Sequence, residues 1–397
     1  MPPNLFGVGF GLAGLCETWR IAQFYGHAPA VVGDALAVLS ALAWLAVLVA
    51  YLCLLITDHS ALRQDLADPV VAPFLSLAVV TPMLLAVLGL VPYAPQAGKL
   101  LFDVLLALTV ILGSWLTGQW ICGSLELDKF HPGYFLPVAA GGLLGSDGAA
   151  LVGQHLLAAV MFGFGALSGI ITASIILGRL YLRPPLPVPL LPTLGILVAP
   201  PAVAALAWFD DHGDRIDTMT TFLGGFSLLM VLTQLRLLPL YRRLPFMPST
   251  WSFAFAWSAV ASVGMHWLND TRPAGYLAEE YVLLAVNSAL LAAIAARTVV
   301  ALCRRQLLPR ANVTGTAEVA GAGEQVSGRP GSQARLSEST TGGRRGRLDK
   351  PGPNDGPVPR GASGPSYSVH FAVHRNIEVV RSKLDTEGGQ RHIRQRH

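Results

Sequence analysis

Residues that could do chemistry are scarce in the apolar parts of this chain, and they do not converge. Glu17 and Arg20 lie three apart within one apolar stretch, so they share a helix face. They read as an interfacial ion pair, with an anion contact as the alternative for Arg20. Lys99 and Asp103, four apart, read as a second such pair. His131 stands directly before Pro132, where a cap or interface role is expected and a proton relay or entry-site ligand is the alternative. Arg236 is expected to snorkel or to pair between helices rather than to hold an anion, and Asn287 to bond a neighbouring helix. HExxH, GxSxG and GxGD are absent. Cys16, Cys53, Cys122 and Cys303 are too dispersed for a metal site or a disulfide framework. Nothing here points to an enzyme, a cofactor, a metal or a nucleic-acid partner.

The elements that carry these residues belong in lipid. Of 397 residues, 52% are hydrophobic and 13% charged, about half the charge of a soluble domain. A span needs roughly 20 apolar residues. Ten stretches qualify: 4–26, 33–57, 72–93, 98–123, 132–153, 154–180, 190–209, 217–239, 249–268 and 277–303. Short polar linkers make successive spans antiparallel, giving five hairpins in a domain over residues 1–303. The boundary between the fifth and sixth is the least marked, because "GSDGAALVGQH" is weakly polar.

Charge orients the spans. Residues 1–303 hold 12 Lys/Arg against 16 Asp/Glu, net −4, whereas 304–397 hold 16 against 8, net +8. With the N-terminus cytoplasmic, Arg63, Lys129, Arg179, Arg183, Arg236, Arg242 and Arg243 fall inside, and Arg20, Lys99, Arg215 and Arg272 outside. Both termini are therefore expected in the cytoplasm of a cell-membrane protein. Residues 304–397, rich in Gly, Ser, Pro and Arg, read as a disordered basic tail.

Helix breakers fall on alternate spans. The third contains Pro82, the fifth Pro137, and the seventh Pro200 and Pro201; the first has Gly7, Gly9, Gly11 and Gly14. Even spans read as proline-free. A proline inside a helix frees a carbonyl, which in a membrane needs a protein or cavity partner. This predicts kinked odd helices, bent at Gly9, Gly11, Pro82, Pro137 and Pro200, around a central passage, with straighter even helices outside. Packing kinks without a passage are the alternative.

"LFGVGFGLAGLCETWR", "FHPGYFLPVAAGG", "TLGILVAPPAVAALAWF", "LTQLRLLPL" and "STWSFAFAWSAVAS" together resemble the TehA-like family, across residues 4–303. That family comprises tellurite-resistance and dicarboxylate transporters, malate permeases, sulfite pumps and slow-type plant anion channels. The resemblance implies an all-α protein of ten transmembrane helices in five hairpins. It also implies a pore in each subunit of a homotrimer, with a phenylalanine of the ninth helix as gate. That role falls on Phe255, with Phe253 as the register alternative. Some relatives have proline where Gly9 and Ala256 stand here.

The function so implied is passage of small anions across the bilayer: chloride, nitrate, sulfite, tellurite or a four-carbon dicarboxylate such as malate. A proton-coupled exporter of the same fold and a scaffold or sensor with a vestigial pore are the competing readings. The apparent lack of buried carboxylates along the route leans toward a channel. Asp210, Asp211, Asp214, Asp217, Glu279 and Glu280 in the outer loops read as a field repelling entering anions.

Overall fold

Proline placement decides where this chain departs from regular helix. The computed structural model describes residues 2–123, 125–213 and 215–304, and the described residues contain helices and no strand. The expected disordered tail lies outside them, apart from Arg304. A 3-10 turn at Pro3–Phe6 leads into α1 (Gly7–Phe24), followed by α2 (Ala30–Thr57) and the short α3 (Ala61–Ala67). The third stretch folds as α4 (Ala72–Leu75), α5 (Leu77–Leu85) and a π segment at Ala86–Leu90. After α6 (Pro95–Cys122), the fifth stretch folds as a 3-10 turn at Pro132–Phe135, a π segment at Leu136–Ala140 and α7 (Gly141–Leu151). Next come α8 (His155–Leu182), a 3-10 segment at Val188–Val198 and α9 (Ala199–His212). The remainder is α10 (Thr218–Tyr241), a 3-10 turn at Pro248–Trp251, α11 (Ser252–Thr271) and α12 (Tyr276–Cys303).

Seven of these elements are long and apolar enough to cross a membrane, and they divide into two kinds. In α2, α6, α8, α10 and α12 only 11–28% of the most apolar window is buried; in residues 72–90 and 188–212 the shares are 67% and 83%. The first group turns Leu, Ile and Val outward, whereas the second lies in the interior. The first, fifth and ninth stretches fall below that threshold. Helices enclosed by protein do not need a continuous apolar surface, and these carry the small and polar residues of the interior. α1 packs against α2 and α11, and α7 against α8 and α9.

The breaks have local causes. Pro82 cannot donate to Ala78, and Trp44 of α2 donates its indole N–H to that carbonyl at 3.0 Å. Pro137 lies within the π segment at Leu136–Ala140. Pro200 and Pro201 do not kink the middle of a helix as expected; they occupy the first turn of α9, where the 3-10 backbone becomes α-helical. Gln234 of α10 donates to the Leu194 carbonyl at 2.8 Å, supporting that 3-10 segment.

Several expectations need correction. α1 is helical throughout, from Gly7 to Phe24, with Gly9 and Gly11 inside it. They are points of close approach: a Cβ on Gly9 would lie 2.9 Å from Trp44 Cβ, and one on Gly11 2.6 Å from Ala254 Cβ. α11 is likewise continuous, so only three of the odd stretches are broken. The even stretches are not proline-free either, since Pro239 lies inside α10, in its last turn. The turn between the fifth and sixth stretches falls at Val152–Gln154, where Gly153 adopts φ 74°, in agreement with the boundary expected after residue 153.

Candidate functional site

α1 and α11 meet along a seam of small residues, and this brings two aromatic rings face to face. Phe10 and Phe255 stack with centroids 3.9 Å apart and planes at 18°. Both are buried, at 5% and 4% exposure. The approach depends on Gly14, whose added Cβ would stand 2.8 Å from Phe255 Cδ2 and 3.1 Å from Ser258 Cβ. Just beyond the rings a buried hydrogen-bond network joins the helices. Ser262 Oγ donates to Thr18 Oγ1 at 3.1 Å, and Asn287 Nδ2 of α12 donates to Ser258 Oγ at 3.1 Å and Thr18 Oγ1 at 3.3 Å. Trp251 ties the start of α11 to α12 through Thr298 Oγ1 at 2.9 Å.

Two cavities lie along α1, one toward each end, and the ring pair borders the first. That first cavity is small, about 40 Å³, and runs from Asn4 and Gly7 to Phe10 and Phe255. Its wall includes Phe74, Leu136, Ala140, Pro200 and Ser252, and is almost wholly apolar. The second, about 440 Å³, lies at the other end of α1, against Glu17, Arg20, Phe24, Val87, Asp210 and His266. Every lining residue of both comes from the odd stretches or the turns flanking them, and none from α2, α6, α8, α10 or α12.

The residues singled out from the sequence divide accordingly. Phe255 and Pro200 line the first cavity, whereas Pro137 lies between two residues that do. Phe253 points elsewhere, packing edge-on against Tyr241 at 4.8 Å and against the Gly195 backbone. His131 is fully buried and caps Pro132–Phe135: its Nδ1 accepts from Gly133 N at 3.1 Å and its Nε2 reaches the Val70 carbonyl at 3.1 Å. Arg236 is exposed.

Neither expected ion pair is present. Arg20 turns away from Glu17 to bind Asp34 at 2.6 Å, Gln23 at 3.0 Å and the Leu88 carbonyl at 3.2 Å. Asp103 accepts from Gln154 at 3.0 Å rather than pairing with Lys99. In both cases a tertiary partner displaces the same-helix one, because an exposed i,i+3 or i,i+4 pair is worth only about 0.2–0.5 kcal/mol.

The acidic loop residues are partly engaged at short range. Glu280 is buried between His27 and Asn269, each at 2.8 Å. Asp211 meets His155 at 2.8 Å, and Asp217 caps α10. Buried carboxylates, thought absent, are present: Glu17 is 5% exposed and Asp147 1%. Asp147 is the residue that sequence reasoning missed. The available signal was a lone acid in a glycine-rich apolar run, which is costly in a membrane unless it has a role.

Long helices with apolar outward faces around an interior row of cavities define a multi-pass membrane protein. Residues 1–299 match the family described as SLAC1, voltage-dependent anion channel, and the chain belongs to that family. It is 26% identical over 271 residues to a tellurite resistance protein TehA homolog of Haemophilus influenzae, covering 66% of this chain and 80% of that one. It is also 26% identical over 290 residues to the S-type anion channel SLAH2 of Arabidopsis thaliana, covering 68% of this chain and 53% of that one. The family consists of anion channels and transporters, not enzymes.

Proposed function

We propose that the chain passes small anions across a cell membrane along the axis of the two cavities, and that the Phe255 ring, backed by Phe10, closes this route. The observation that carries the reading is the position of the stacked rings. They border the apolar cavity at one end of α1, and the cavity at its other end carries Glu17, Arg20, Asp210 and His266 on its wall. An apolar constriction resists a hydrated ion by dewetting rather than by charge. Moving the ring aside would wet the route without requiring α1 or α11 to bend.

The lining favours monovalent anions such as chloride or nitrate over a four-carbon dicarboxylate, sulfite or tellurite. Arg20 is the lysine or arginine on either cavity wall, and its charge is held by Asp34. Desolvation cost rises steeply with ionic charge, which weighs most against a dianion. All ten helical stretches would cross the bilayer, with both termini cytoplasmic as the Lys/Arg distribution requires. The apolar faces of the even helices would meet lipid and the neighbouring copies of a homotrimer.

The test is anion flux into proteoliposomes. Phe255→Ala should raise chloride flux at least about tenfold, equivalent to about 1.4 kcal/mol off the closed state. Flux no greater than in the wild type would remove the ring from this role.

A further inference from the structure

α12 carries an arginine that the anion route leaves without a task. Arg297 stands six residues before the helix ends at Cys303, about 9 Å along its axis, and so within an apolar span. It makes no hydrogen bond or ion pair among the described residues. A charged group at this depth is costly in hydrocarbon unless an opposite charge or the headgroup layer meets it.

Arg297 lines a cavity of about 260 Å³ bounded by α12, the start of α11, the end of α10 and the 3-10 segment at Val188–Val198. Leu290, Ala293 and Arg297, spaced three and four apart, set one stripe of α12 along it. Ala293 and Arg297 are exposed, so the cavity opens on the outward face of that helix. Leu244, Phe246, Phe253 and Ile294 make the wall largely apolar. Its other polar side chains are engaged within the protein. Tyr241 donates its hydroxyl to Gln234 Oε1 at 2.7 Å, and Thr250 Oγ1 accepts from Met247 N at 3.2 Å. Arg297 supplies the charge on this wall.

The surroundings carry the same sign. Residues 218–269 and 281–304 contain Arg236, Arg242, Arg243, Arg297 and Arg304, and no Asp or Glu. Arg242 and Arg243 are exposed and lie between two wall residues, Tyr241 and Leu244. A pocket between spans that is basic toward the membrane surface and apolar beneath it complements an amphiphile with an anionic head. A soluble anion would use the guanidinium but not the apolar wall, and a neutral lipid the wall but not the guanidinium. We propose that this cavity binds an anionic phospholipid, with its phosphate on Arg297 and an acyl chain against Phe246, Phe253 and Leu290. The lipid comes from the leaflet facing this end of α12, the cytoplasmic one in the topology proposed above. The site shares no lining residue with either cavity along α1. It also gives Phe253, which does not border the ring-pair cavity, a place in a wall of its own.

Native mass spectrometry of the full-length chain in detergent tests this, with phosphatidylglycerol, phosphatidylcholine and inorganic phosphate as probes. Phosphatidylglycerol should be retained at least about fivefold better than phosphatidylcholine, the effect expected of one basic group. Excess inorganic phosphate should not displace it. Arg297→Gln should erase the preference. Ala293→Phe, which fills the cavity from the exposed face of α12, should weaken phosphatidylglycerol binding by a similar factor with Arg297 in place. That variant decides the matter alone if Arg297→Gln does not fold. Arg63→Gln, at an exposed position of α3, should leave binding unchanged. Equal retention of the two lipids, displacement by phosphate, or an equal loss in Arg63→Gln would overturn the proposal. None of these results bears on chloride flux through the cavities along α1, so the anion route stands or falls separately.

Discussion

Phe10→Leu separates the closing ring from the partner that holds it. Leucine keeps an apolar side chain in the pocket but abolishes the 3.9 Å stack on Phe255. Offset or stacked aromatic pairs contribute about 0.5–1.5 kcal/mol beyond their burial. If that energy favours the closed rotamer of Phe255, its loss shifts the closed-to-open ratio by about 2- to 12-fold. Chloride flux in proteoliposomes should rise within that range, and by less than in Phe255→Ala, where no ring remains to obstruct. Because the two residues act through one contact, the double variant should conduct no more than Phe255→Ala alone. Thermal unfolding in detergent, run in parallel, separates gating from loss of fold. Effects that multiply independently in the double variant, or a fall in flux for Phe10→Leu, would refute the idea that the stack holds the ring shut.

Other outcomes follow from the same geometry. Gly14→Ala puts a methyl group 2.8 Å from the Phe255 ring and 3.1 Å from Ser258 Cβ. Forcing α1 off α11 should cost about 1–3 kcal/mol, read as a lower midpoint of thermal unfolding. Asp217→Ala removes the carboxylate that accepts from Thr220 N at 2.8 Å in the capping box of α10. It should destabilise by about 1 kcal/mol at neutral pH. That hydrogen bond holds the Asp217 carboxyl below its usual range. Its contribution is therefore complete above the ordinary carboxylate pKa and lost as pH falls through the lowered one. The gap between wild type and Asp217→Ala should narrow over that acidic window, as measured by unfolding midpoints across pH.

Part of this was readable from the residues alone. Pro82, Pro137 and Pro200 lie in the third, fifth and seventh stretches, each of which combines α-helix with a 3-10 or π segment. The alternation of interior and outward-facing stretches was legible from the same residues. The close approach at Gly9 and Gly11 was not legible, because it depends on the facing residues, Trp44 and Ala254. Phe10 gave no signal, since a phenylalanine in an apolar run resembles any packing residue. Asp147 was passed over because the run around it is weakly polar and it has no charged neighbour in sequence. Arg20 could not be assigned its partner, because Asp34 belongs to the next helix and comes near only through the packing of α1 on α2.

The central claim is that two vestibules reach toward each other and are separated by the Phe10–Phe255 pair. Cysteine accessibility tests it most directly, after Cys53, Cys122 and Cys303, which are exposed, are replaced by serine. Ser252→Cys reports the first cavity and Ile21→Cys the second. A membrane-impermeant anionic thiol reagent should modify each from one face only, and from opposite faces. Adding Phe255→Ala should let the reagent reach Ser252→Cys from the Ile21 side as well. Modification of both positions from the same face with Phe255 intact, or no change in access when the ring is removed, would contradict the account.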